Sequence, residues 1–139
     1  AAVVVMSADK AKELGCKPLA RITGYASGGM DPEWVMLAPL VSIRKLSAKL
    51  GVEPTDFDLH EINEAFSAAA LALLEDLKLD ADKVNVNGGA VALGHPIGGS
   101  GTRILVTLLH AMKQKGAKTG MATLCLGGGN AVSLAVEAL

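Results

Sequence analysis

A histidine framed by glycine and proline, and a cysteine one residue ahead of three glycines, are the residues here best suited to chemistry. His95 lies in Asn87-Gly-Gly-Ala-Val-Ala-Leu-Gly-His-Pro-Ile-Gly-Gly-Ser-Gly101, and Cys125 lies in Thr119-Gly-Met-Ala-Thr-Leu-Cys-Leu-Gly-Gly-Gly-Asn130. An imidazole and a thiol at element ends, each flanked by exposed backbone amides, are the parts thioester chemistry needs. A free thiol is only a few per cent ionised at neutral pH, so it requires a basic neighbour or aligned amide dipoles to act. Cys125 closes a strand, which points to the carboxyl edge of a sheet, where α/β proteins place ligands. A buried structural cysteine is the plainer reading. Three consecutive glycines, costly to order and open to close approach of a ligand, argue against it.

His95 sits in a loop ahead of a helix start, where N–H groups and the positive end of the dipole would face an anion or a carbonyl oxygen. The plainer role is a hydrogen bond within the turn. Asn63, in Asn63-Glu64-Ala65-Phe66, falls at a strand-to-helix junction. There it can cap the helix, yet the same sheet edge would gather Asn63, His95 and Cys125. His60, His110 and Cys16 have no such setting and are assigned to structure or solvent.

Other chemistries lack their patterns. There is no Gly-Lys-Ser/Thr phosphate loop, and Gly98-Gly-Ser-Gly101 is not the dinucleotide fingerprint. His60-Glu61 lacks the second histidine of a zinc protease, and no Cys/His spacing matches a metal site. The formal charge of −1 and scattered Lys and Arg exclude a general nucleic-acid binder. Two cysteines without a CxxC pair suggest a reducing, cytoplasmic setting. Ala1–Met6 is apolar but too short to span a membrane. Because the chain enters an apolar run at once from Ala1, it reads as a piece of something longer.

The elements that must position these residues follow from periodicity. The 139 residues, half of them hydrophobic but only 3% aromatic, suit close layers of helix on sheet built from Ala, Val, Leu and Ile. Strands are expected at Ala1–Met6, Leu19–Ser27, Asp56–Ile62, Val84–Asn87, Met121–Leu126 and Ala131–Ala138. Helices are expected at Ala8–Leu14, Val41–Leu50, Asn63–Leu77 and from Gly99 or Ser100 to Gly116, with Gly28–Pro39 as loop. Alternation of this kind implies a layered α/β sheet. The last connection is too short for a crossover, so the final strand should run antiparallel.

At these residues the chain resembles the thiolases, the acyl-CoA C-acetyltransferases. Three blocks carry the likeness: Asn63-Glu-Ala-Phe66, Asn87 through Arg103, and Cys125-Leu-Gly-Gly-Gly129. The likeness runs over essentially the whole chain and covers the C-terminal part of such a protein. It implies a βαβαβαββ half-fold, a five-stranded mixed sheet with helices on both faces. Residues 17–139 would be the complete C-terminal domain, and residues 1–16 the last strand and helix of the N-terminal half.

The resemblance also implies roles. His95 would activate a nucleophilic cysteine and help bind a thioester oxygen, and Asn63 would hold a water completing that oxyanion site. Cys125 would be the second, acid/base cysteine, moving the α-proton of the attacking acetyl-CoA. The Gly127 N–H would face the other oxyanion, with Ala65 and Phe66 near the substrate. Coenzyme A enters as a thioester substrate, with no resident cofactor and no metal. The family's nucleophilic cysteine is absent, since Cys16 is not in its motif, as is the region covering coenzyme A. Ala131 stands where the family often has glycine. The chain alone is therefore expected to be inactive, completed by an N-terminal half in cis or in trans, with the intact enzyme a homo-oligomer. A non-catalytic thiolase-like module for assembly or acyl-CoA binding is the other reading.

Overall fold

The computed structural model describes residues 1–139. Ser7 starts the chain's regular structure: its side chain accepts from the Lys10 amide and caps α1, Ala8–Glu13. Strand β1 is Ala20–Gly29. The expected loop that follows instead holds a 3₁₀ turn, Pro32–Leu37, capped by Asp31 with Pro32 in its first turn. It runs directly into α2, Ala38–Leu50, which Gly51 ends in the left-handed conformation. Strand β2 is Leu59–Ile62 and α3 is Ser67–Leu77. A one-turn helix, α4, Ala90–Leu93, precedes α5, Ser100–Lys115. Strands β3, Thr119–Leu126, and β4, Asn130–Ala138, close the chain.

The sheet has four strands in the order β1-β4-β3-β2, mixed rather than parallel. β3 and β4 form the expected antiparallel hairpin, β1 lies antiparallel to β4, and β2 runs parallel to β3. Alternation along the central strands divides the core. Met121 and Ala135 face Ile43 and Leu46 of α2 and Leu73 of α3, whereas Ala122 and Val136 face Ile104, Leu108 and Met112 of α5. Helices therefore cover both faces. Gly28 lets α2 sit close, because a Cβ there would lie 2.7 Å from the Ser42 amide nitrogen.

Six strands were expected, five of them in one sheet, and two are missing for different reasons. Ala1–Ser7 has no regular structure, and Val3, Val4 and Val5 are exposed. A strand needs a neighbour for its backbone groups, and no strand of this chain pairs with that run. Val84–Asn87 shrinks to a single bridge, Val84 to His60. Asn85 ends it: its φ of +48° turns the backbone out of line. Its side-chain amide then accepts from Ile62 N at 2.8 Å and donates to Ile62 O at 2.9 Å, taking the place of a pairing strand.

Candidate active site

The carboxyl edge of the β2/β3 pair is built first. Asn63 N donates to Thr123 O at 2.9 Å, carrying the parallel pairing one residue past Ile62. That bond holds Asn63 in the sheet, 4% exposed, and keeps it out of α3. The expected Asn63 cap is thus absent. α3 begins three residues after Glu64, with Phe66 at the cap position and no side-chain cap bond. The Asn63 side chain turns instead to His95, with Nδ2 3.4 Å from Nε2. Its Oδ1 is buried without a partner.

Glu64 secures the loop that carries His95. Its Oε2 accepts from Val91 N at 3.0 Å, in the first turn of α4. Gly94, at φ +86°, ends that turn and presents His95. Beyond it, the Pro96 carbonyl accepts from Gly99 N at 2.8 Å and Ser100 N at 2.9 Å. The α5 start was expected to offer such amides to a ligand. These two are consumed within the loop.

The protonation of His95 follows from its partners. Ser100, fully buried, donates its hydroxyl proton to Pro96 O at 3.0 Å. A hydroxyl has one proton, and with that proton on Pro96 O the Ser100 Oγ, 2.6 Å from His95 Nδ1, accepts the ring N–H. Nε2 then carries the lone pair, which agrees with the Asn63 amide donating towards it. Ser100 and Asn63 thus hold the ring at both nitrogens, in an arrangement that fits a proton on Nδ1 and a lone pair on Nε2.

Cys125 lies two residues past Thr123 on β3, half-buried, with Ala131 of β4 as its register partner. Ala131 is fully buried in the strand, so a methyl is accommodated there. Burial pushes the Cys125 thiol above its ordinary pKa, with its own backbone amide pulling the other way. The three glycines that follow are not equivalent. Gly129, at φ +83°, packs so tightly that a Cβ would lie 2.4 Å from Met30 O, and Gly128 has φ +75°. Gly127 has an ordinary φ and open space where a Cβ would be.

Asn63 therefore ties the edge together, through its backbone to β3 and its side chain to His95. The first turn of α5 reaches the same place, since a Cβ on Gly101 would lie 3.7 Å from Leu124 Cδ2. No hydrogen bond joins Cys125 to His95. Phe66, Val91, Leu93, Ile97 and Leu126, drawn from the segments around this edge, are exposed apolar side chains, and Ala65 is half-buried. Of the residues set aside, His110 and Cys16 are exposed. His60 is buried against Phe57, its Nε2 donating to Pro54 O at 2.9 Å, and burial drives its pKa down to about 4. No group of three or more His, Cys, Asp or Glu side chains is arranged to hold a metal ion. No helix is long and apolar enough to cross a membrane.

An imidazole held at both nitrogens, at the edge of a layered sheet whose neighbouring strand carries a half-buried thiol, defines an α/β domain with the groups for acid–base chemistry. The chain belongs to the thiolase family: the thiolase C-terminal domain model matches residues 16–138. It is 58% identical to an acetyl-CoA acetyltransferase of Cupriavidus necator over 137 residues, 99% of this chain and 35% of that protein. The counterpart from Escherichia coli is 50% identical and is matched over 35% of its length. Among solved structures, the Bacillus anthracis acetyl-CoA acetyltransferase superposes with a TM-score of 0.93 at 52% identity. It is matched over 96% of this chain and 34% of that one. Human mitochondrial 3-ketoacyl-CoA thiolase gives the same TM-score at 42% identity. The chain spans about a third of the length of the relatives it matches, at their C-terminal end.

Proposed function

We propose that this chain supplies the base and the second cysteine of a thiolase active site acting on acyl-CoA thioesters. The observation that carries the reading is the grip on both His95 nitrogens, Ser100 Oγ 2.6 Å from Nδ1 and Asn63 Nδ2 3.4 Å from Nε2, which fits a ring with its proton on Nδ1 and Nε2 free as a base at the sheet edge. In this reading His95 removes the thiol proton of a nucleophilic cysteine supplied by the N-terminal part of the protein, residues 1–16 being the end of that part. His95 Nε2, once protonated, and a water held by Asn63 would stabilise one oxyanion. The unpartnered Asn63 Oδ1 supports a water at this position.

Cys125 then takes the α-proton of the acetyl-CoA that attacks the acyl-enzyme, or returns it in the reverse thiolysis. Its raised pKa keeps the thiol protonated at rest and makes the thiolate a stronger base once a partner group has drawn that proton away. Gly127 N–H would donate to the other oxyanion. The open space at Gly127, which neither φ nor packing accounts for, supports a ligand coming close. Phe66 and Ala65 would border the acyl or pantetheine chain. Coenzyme A serves as carrier and substrate, not as a resident cofactor.

The test combines the purified chain with an N-terminal thiolase segment carrying the nucleophile, assayed on acetoacetyl-CoA and coenzyme A. Turnover is expected only in the mixture and is expected to fall with Cys125→Ser. A mixture that forms a complex yet never turns over sinks the catalytic reading in favour of an assembly module.

A further inference from the structure

β2 and α5 each grip one nitrogen of the His95 ring, Asn63 at Nε2 and Ser100 at Nδ1. Neither grip holds its geometry unless the strand and the helix keep a fixed spacing. Two residues before Asn63 on β2, and on the same face by strand alternation, stands Glu61. Three residues after Ser100 on α5, and on the same side of the helix, stands Arg103. Arg103 Nη1 donates to Glu61 Oε1 at 3.2 Å. This is the one side-chain hydrogen bond that joins β2 to α5.

Stability alone is a poor reason for this pair. Glu61 is 1% exposed, beside the apolar Leu59–Ile104–Leu108 cluster, and Arg103 Nε is buried with no acceptor. Burying two charges costs desolvation that their attraction often fails to recover, and well-packed apolar replacements are frequently neutral or better. What an ion pair adds over apolar contact is a directional bond of set length. Burial raises the Glu61 pKa to about 7 against the pull of Arg103, which marks the same cost.

We propose that Glu61 and Arg103 are positioning residues for His95, setting the β2–α5 spacing through which Asn63 and Ser100 hold the ring in one tautomer. The importance of that tautomer rests on the base role given to His95 above, but the positioning is read on the ring itself.

The full chain, labelled with ¹⁵N-histidine, gives the protonation of each His95 nitrogen from long-range ¹H–¹⁵N spectra. The wild-type ring is expected to carry its proton on Nδ1. The double variant Glu61→Leu/Arg103→Met removes both charges and leaves neither orphaned. It is expected to keep its melting temperature while the ratio of the two tautomers falls about fivefold, the effect of ~1 kcal/mol of coupling between neighbouring groups. Arg103→Lys, which keeps the charge but loses the fork and the reach, is expected to shift the ratio in the same direction. Glu61→Gln retains an acceptor for Arg103 and is expected to remain near the wild-type ratio.

A folded double variant with the wild-type ratio overturns the positioning role while leaving the base role of His95 intact. Should the double variant not fold, an unchanged ratio in Arg103→Lys overturns it equally. A wild-type ring protonated on Nε2 removes the premise of both readings.

Discussion

Glu64 and Gly89 fit each other so closely that a Cβ on Gly89 would lie 2.5 Å from Glu64 Oε2, the same oxygen that accepts from Val91 N. A carboxylate caps the turn leading to His95, and only a bare backbone leaves room for it. Gly89→Ala is therefore expected to push Glu64 off the α4 start. The cost should be about 1–3 kcal/mol, from overpacking and a lost cap together. Urea unfolding gives the stability, and faster amide exchange at Val91 locates the damage. Wild-type exchange at Val91 in this variant would show that the carboxylate has another way to reach it.

Ser100→Ala removes the acceptor of the His95 Nδ1 proton inside a buried site. The orphaned ring N–H should cost about 1–3 kcal/mol if the ring stays in place. The ring can escape that cost by moving its proton to Nε2, which destroys the base. The expected result is modest destabilisation with a large loss of turnover in the reconstituted mixture, at least about tenfold. Full activity in this variant would mean that Asn63 alone sets the tautomer.

How much of this arrangement the sequence discloses can be judged residue by residue. Periodicity located α2, α3, α5 and the four paired strands, because each carries an apolar pattern, and glycine or proline marks the ends of all but α3 and β2. It also placed Asn63, His95 and Cys125 at one edge. It misread Ala1–Met6, since an apolar run looks the same with or without a neighbouring strand. It misread Val84–Asn87, where a positive φ at Asn85 and a side chain mimicking a strand leave no periodic trace. The 3₁₀ turn had a signal, Asp31-Pro32, a capping residue followed by the proline that favours a helix start. Ser100 and Glu64 lie inside the blocks that carry the family likeness, but nothing in their type or spacing pointed to these partners. Their importance arises from partners at His95 and Val91 that only the folded chain brings near.

Neighbouring His60 and Glu61 should act on pH stability with opposite signs. His60 has a folded pKa near 4 against 6.5 when unfolded, so its contribution is present above pH 6.5 and is lost as pH falls towards 4. Burial raises Glu61 to about 7 from 4.5, so its contribution is present below pH 4.5 and is lost as pH rises through 7. Between pH 4.5 and 6.5 the two largely offset. Glu61→Gln unmasks His60, and its unfolding free energy should drop by about 3 kcal/mol from pH 7 to pH 4, more steeply than the wild type. Equal slopes for variant and wild type in urea titrations across this range would refute the assignment.

Cys125 offers a test in the chain as it stands. Its half-buried thiol is held above its ordinary pKa by desolvation, whereas Cys16 is exposed. Alkylation requires the thiolate and a path for the reagent, so both factors slow Cys125. With limiting iodoacetamide at pH 7.5, a pH taken as roughly one unit below an ordinary thiol pKa, Cys16 is expected to react at least about tenfold faster. Peptide mass mapping distinguishes the two sites. The comparison also bears on catalysis, because a proton-shuttling thiol must stay protonated until a partner group draws the proton away. Addition of the nucleophile-bearing segment should therefore alter the Cys125 rate. A Cys125 that reacts as readily as Cys16 from the outset would place the thiol in open water, where neither desolvation nor the Gly127–Gly129 turn could tune it.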